Sequence, residues 1–172
     1  IMEKFRNTDG LIIDLRQYPG YSFYHEISSY LGDSEKIFVQ VAFPSQSIPG
    51  TFVTDSMKRM AESWEYRGEI VVLTNEMSLS NAEYTVMSLQ NAENVTVMGE
   101  ETIGADGNVA RLPLPGNIEL LFTSLGVYTP EMGQTQRVGL TPDIEVHPTI
   151  EGIKEGRDEL MEAAVAYIRE QK

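Results

Sequence analysis

The chain has 172 residues, 41% of them hydrophobic and 23% charged, which is the composition of a protein that folds and is enough to bury one core. Thirteen basic against 26 acidic residues leave a net charge of -13, so the summed field repels phosphate backbones and anionic membrane surfaces, and nucleic acid is excluded as an expected partner. There is no cysteine, hence neither a disulfide nor a thiolate metal site, and no apolar run approaches the ~20 residues that span a bilayer.

The opening "IMEKFRNTDG" reads as the end of a helix leading into a strand. This start supports the expectation that residues 1–172 form one core domain of a longer chain, with any export signal and part of the chemistry upstream. "GLIIDL" (10–15) is an apolar run bounded by turn residues, as in a buried strand, and "RQYPGYS" after it is loop chemistry. Phe23, Ile27 and Leu31 recur at helical spacing until "GDSEK" (32–36) interrupts them. "IFVQVAF" (37–43) has the β-branched and aromatic content of a strand. "PSQSIPGTFVTDS" (44–56) reads as a long polar loop, either a mobile flap or a plain surface connection. Residues 56–65 are predicted to be helical.

"EIVVLTN" (69–75) is a second buried strand, and Ser80 opens a helix whose apolar face is Ala82, Val86 and Leu89. "NVTVMG" (94–99) is a third strand, so the order around Ser80 is β-α-β, which gathers strand C-termini and helix N-termini on one edge. From 109 to 129 short strands alternate with Pro and Gly turns, and "GRDELMEAAVAYIR" closes the chain as an amphipathic helix.

Ser80 has two interpretations. Ser80-Asn81-Ala82-Glu83 is an S-x-x-E capping box, in which the hydroxyl and the glutamate satisfy the first amides of the helix. The same strand-to-helix turn would also hold a nucleophilic hydroxyl beside free N–H groups and the positive end of a helix dipole, where an oxyanion is stabilised. The Asn81 amide and those of "PGY" (19–21) are the candidate donors. A serine also needs a base, and the sequence offers few: His25, beside Glu26 on a helix; His147, before Pro148; and the carboxylates Glu83 and Asp106. "GEETIGADGN" (99–108) lacks the Lys-Ser/Thr of a phosphate loop, and its acids form no recognised ligand set, so no nucleotide, metal or other cofactor is expected. The acid of "PDIEV" (142–146) reads as a local hydrogen-bonding Asp at a turn.

Three stretches, in order, resemble the catalytic core of the C-terminal processing (tail-specific) protease family, in its tricorn-like and retinoid-binding-like branch. "GLIIDLRQYPG" is similar to that family's first strand and glycine turn. "VVLTNEMSLSNAEYTVMSLQNAENVTVMGEETIGADGN" is similar to the nucleophile segment and its G-E-x-T-x-G loop, and "RVGLTPDIEV" to the closing motif. The resemblance implies an α/β fold of the ClpP/crotonase type, a spiral of ββα units with short strands in the C-terminal half and a closing helix. It places the nucleophile on Ser80 and the oxyanion donors on Asn81 and on Gly20 or Tyr21, where Tyr21 replaces a second glycine. Ala105 stands where one branch has its lysine, and Gln136 where the tricorn-like branch has a glutamate supporting a histidine, so the resemblance implies Ser80 and Gln136 as the catalytic positions.

The implied function is a serine endopeptidase core, exported to the periplasm or cell envelope, acting on C-terminal tails or loosely folded polypeptides with no cofactor. The alternative is a catalytically silent module holding a peptide or apolar ligand on the same fold, favoured by Ala105 and Gln136. Acyl-CoA chemistry on the related fold is a third reading, which the acidity of the chain opposes.

Overall fold

The computed structural model describes residues 1–32 and 36–171; most of the "GDSEK" interruption therefore lies outside the described residues. A single 3-10 turn (Met2–Lys4) leads into β1 (Gly10–Asp14). β1, β4 (Glu69–Thr74), β5 (Val95–Gly99) and β9 (Ile144–Glu145) form one parallel sheet in the order β1-β4-β5-β9. Buried on both faces, such strands read as unbroken apolar runs, which is why "GLIID" and "EIVVLT" were recognisable. Successive side chains of β4 feed opposite layers: Ile70 and Val72 join the larger core with Val86 and Leu89 of α2 (Asn81–Leu89). Val71 and Leu73 pack with Leu160 and Ala164 of α4 (Glu159–Glu170). Helices on both faces of a parallel sheet are the layer arrangement expected for this α/β class.

β2 (Ile37–Pro44) lies in a second, antiparallel sheet of order β3-β2-β8, with β3 at Phe52–Lys58 and β8 at Gly126–Tyr128. β6 (Val109–Leu114) and β7 (Ile118–Thr123) form a hairpin that, among the described residues, pairs with no other strand. A short helix α3 (Ile150–Glu155) precedes α4.

Three sequence expectations are corrected. The predicted long loop over 44–56 is a turn followed by β3, and the predicted helix over 56–65 does not form. Residues 56–58 belong to β3, where Ser56 pairs with Gln40 and its hydroxyl donates to the Gln40 side chain at 2.7 Å, and 59–65 contain no helix. Pairing along the full length of β2 outweighs the moderate helix propensity of "SMKRMAESWE". The helix expected through Phe23, Ile27 and Leu31 is only the short α1 (Tyr24–Ser28).

Candidate active site

The site lies where β1 and β4 end and α2 begins. Ser80 is the N-cap of α2, with φ 51° and ψ -108°. A non-glycine residue with positive φ costs on the order of 1–3 kcal/mol and persists only where its surroundings impose it. The strain turns the chain sharply from β4 into α2, so Ser80 is half-buried and lines a cleft of about 320 Å³ instead of entering the core. Tyr24, Val41, Phe43, Met57, Tyr84 and Leu125 give the cleft apolar walls.

What imposes the strain is Glu83. Its carboxylate is fully buried and accepts four hydrogen bonds: from the Ser80 N–H (3.0 Å), the Thr102 hydroxyl (2.6 Å), the Gly104 N–H (2.8 Å) and the Ala105 N–H (3.1 Å). The glutamate half of the capping box is thus formed, and it extends to a second segment nineteen to twenty-two positions along the chain. Gly104 (φ +70°) is required there because a Cβ would lie 2.7 Å from the Gly139 nitrogen. Thr102 completes the contact with the closing motif by accepting from the Leu140 N–H at 2.8 Å. A carboxylate with four donors is held in place, so Glu83 acts as an anchor for Ser80.

The Gly20 turn is joined to the same helix end. The Asn81 amide donates to the Tyr21 carbonyl at 3.2 Å and reaches the Pro19 carbonyl at 3.5 Å, while Gly20 itself is exposed with open space around its Cα. The Asn81 N–H belongs to the first turn of α2, where no earlier carbonyl of the helix can accept it. Below the turn, Arg16 is gripped by Asp14 (2.7 Å) and by Asp158 at the N-cap of α4 (2.7 Å), fixing the chain between β1 and Gly20.

Asp106 is buried, 3% exposed, beside Glu83 and Tyr84. Burial first, and the Glu83 charge second, push its carboxyl up to about 7, against the Thr135 hydroxyl that donates to it at 3.1 Å. Burial, followed by the charge of Asp106, pushes Tyr84 up to about 12, so its phenol stays protonated at the cleft wall. The Gln136 amide donates to the carbonyls of Asp106 (3.0 Å) and Leu125 (2.8 Å), clasping the loop after Gly104 to the approach to β8.

Neither histidine lines the cleft. His25 stacks against Tyr24 and Phe38, and burial lowers its pKa. His147 is exposed between Glu100 (2.6 Å) and Glu145 (2.8 Å), whose acceptance raises its pKa. Asp143 of "PDIEV" accepts from the distant Val97 N–H at 2.8 Å, a tie across the sheet where a local turn bond was expected. Among the described residues no group of three or more His, Asp or Glu side chains is arranged to hold a metal. Thr102, Thr135 and Tyr84 were not anticipated; nothing in a lone Thr or Tyr signals contact with a residue so far away in sequence.

A strained serine at the joint of a parallel strand and a helix, with a tethered glycine turn beside it, is the organising feature of this α/β core. The family model of peptidase family S41 matches residues 1–146, and the chain belongs to that family. The carboxy-terminal-processing protease of Bartonella bacilliformis is 29% identical over 154 residues, covering 87% of this chain and 33% of that protein. A crystal structure of a candidate peptidase from Parabacteroides merdae superposes with a TM-score of 0.85 at 24% identity, over 97% of this chain and 54% of that one. The photosystem II D1 C-terminal processing protease superposes with a TM-score of 0.65 at 20% identity, over 86% and 37%. The ClpP/crotonase-like description fits these neighbours and the parallel sheet with its covering helices. This chain spans about a third of the curated relative's length.

Proposed function

We propose that residues 1–172 form one protease-core domain of a serine endopeptidase, with Ser80 as the nucleophile. The observation that carries this is the strained, cleft-lining position of Ser80 beside the tethered Gly20 turn. Ser80 Oγ would bond to the substrate carbonyl carbon as its proton passes to a base, and the carbonyl oxygen would become an oxyanion held by the Asn81 N–H and the N–H of Gly20 or Tyr21. Collapse would break the C–N bond, release the amine with a proton, and leave an ester on Ser80 for water to hydrolyse. Each oxyanion donor is worth roughly 3 kcal/mol in the transition state.

Among the described residues no lysine or histidine lines the cleft, and Ala105 is exposed with its N–H bound to Glu83. The base is accordingly assigned to a part of the protein beyond this sequence, with Gln136 and Glu83 as positioning residues and Asp106 tuning the loop between them. The substrates would be C-terminal tails or loosely folded polypeptides, in the periplasm or cell envelope; among the described residues no helix is long and apolar enough to cross a membrane.

The test is labelling of the full-length protein with a serine-directed phosphonate, alongside casein degradation. Labelling at Ser80, with degradation abolished in Ser80→Ala, is the expected result. Equal degradation by Ser80→Ala would remove Ser80 as nucleophile. Casein binding without turnover in the unaltered protein would instead indicate the silent module.

A further inference from the structure

Two carboxylates, Glu83 and Asp106, are buried near the start of α2, and their partners differ in number. Glu83 accepts from four donors, three of them in the 102–105 segment. Asp106, which ends that segment, has only the Thr135 hydroxyl as a side-chain partner besides its own backbone, among the described residues. That hydroxyl has a second neighbour, the Val127 carbonyl of β8, at 2.9 Å, against 3.1 Å to Asp106 Oδ2. A hydroxyl carries one proton and a carbonyl only accepts. The two bonds therefore coexist only when Asp106 is protonated and donates to Thr135 Oγ1 while Thr135 donates to Val127. Loss of the Asp106 proton forces a choice: the hydroxyl turns to the carboxylate and leaves Val127, or a buried charge stays without a donor.

The surroundings suit the neutral acid. From α2, the Glu83 carboxylate repels a second charge, and the Tyr84 phenol stays protonated. From the segment before the closing motif, the neutral Gln136 amide holds the Asp106 carbonyl at 3.0 Å. The exposed Arg137 of that segment lines the same cavity of about 490 Å³ without an ion pair to Asp106. Phe52, Thr123 and Leu125, on its other walls, bring no charge. The position of Asp106 in the chain connects it to the serine. Gly104 and Ala105, the two residues before it, donate to Glu83, which in turn accepts the Ser80 N–H.

We infer that Asp106 and Thr135 are a positioning pair for Ser80: the proton on Asp106 ties the 104–106 segment through Thr135 to β8, and its loss loosens Gly104 and Ala105 from Glu83 and slows the serine. The last step rests on Ser80 being the nucleophile; the tie itself does not. The test compares the full-length protein with Asp106→Asn, whose amide donates as the protonated acid does and never ionises. Phosphonate labelling at Ser80 is read as the ratio of the two rates, which cancels the pH dependence of a base that both proteins share. Titration near 7 leaves about a tenth of Asp106 protonated at pH 8, so the ratio of variant to unaltered protein is expected to rise about tenfold between pH 5.5 and 8. Amide hydrogen exchange over 102–106, divided by the intrinsic rate at each pH, is expected to speed about tenfold over the same range in the unaltered protein and to stay constant in Asp106→Asn. Thr135→Val, which removes the acceptor, should speed this exchange already at pH 5.5, and Thr135→Ser should restore it. That second pair decides the matter where Asp106→Asn does not melt cooperatively. A flat labelling ratio, the same exchange change in Asp106→Asn, or no effect of Thr135→Val would overturn the inference. Labelling absent from every protein, with the exchange differences present, would count against Ser80 as nucleophile and uphold the pair as what holds the segment.

Discussion

The Ser80 N–H and the Ala105 N–H meet on one oxygen of Glu83, at 3.0 and 3.1 Å. The turn that presents the serine and the loop that follows β5 are therefore set by a single carboxylate. The other oxygen takes Thr102 and Gly104, so no lone pair faces the cleft unspoken for. Replacing Glu83 with Ala would leave four donors without their acceptor, those of Thr102 and Gly104 buried and those of Ser80 and Ala105 partly buried. The expected cost is several kcal/mol, since each unsatisfied group costs about 1–3 kcal/mol. Glu83→Gln should lose less stability yet still slow phosphonate labelling of Ser80, because an amide cannot accept at both ends. Urea denaturation and labelling rates measure the two effects, and unchanged labelling in Glu83→Gln would show that Glu83 stabilises the fold without positioning the serine.

Asp106 gives the fold a pH dependence of definite sign. Its carboxyl titrates near 7 in the folded protein, against 3.8 for the ordinary value. Between those two values the folded state holds a proton that the unfolded state has lost, so stability falls as pH rises from about 4 to 7 and stays lower above it. The shift corresponds to roughly 2–4 kcal/mol, the upper figure being the full conversion of the shift. Asp106→Asn should flatten this slope and raise the melting temperature at pH 8 relative to the unaltered protein. Melting curves from pH 4 to 8 decide it; an unchanged slope would mean that Asp106 ionises freely.

Arg16 joins the chain below the Gly20 turn to the start of α4 through Asp14 and Asp158. Its side chain is 21% exposed, and both partners hold it charged. Lysine carries the charge but cannot contact two carboxylates in one plane. Arg16→Lys is expected to cost about 1–2 kcal/mol and to loosen the 17–21 turn, visible as faster amide hydrogen exchange there. Exchange unchanged at 17–21 would confine Arg16 to anchoring α4.

The legible parts were those whose physics is local or whose burial is uniform. β1, β4 and β5 are unbroken apolar runs, and α2 carries its own start signal in Ser80 and Glu83. β3 escaped because "FVTDSMK" is largely exposed and strand-forming only by virtue of its pairing with β2. α3 is six residues long and contains Gly152, too short for a helical period to show. Around the proposed site, the motif indicated Ser80, Asn81 and the Gly20 turn, and the structure brings Asn81 against that turn. The convergence of Thr102, Gly104 and Ala105 on Glu83, and of Thr135 on Asp106, depends on contacts across nineteen to twenty-nine positions that no spacing rule encodes.

Ser80→Gly separates the cap from the nucleophile. At φ 51° a serine is strained and a glycine is not, and losing the hydroxyl at an N-cap to glycine costs only a few tenths of a kcal/mol. The glycine protein should therefore be as stable as its parent or up to about 1 kcal/mol more so. If the hydroxyl only capped α2, peptidase activity of the full-length protein would survive the change along with its stability. Loss of casein cleavage below detection, with an unchanged or raised melting temperature, is the expected outcome: stability retained where activity is gone is the behaviour of a strained residue kept for chemistry.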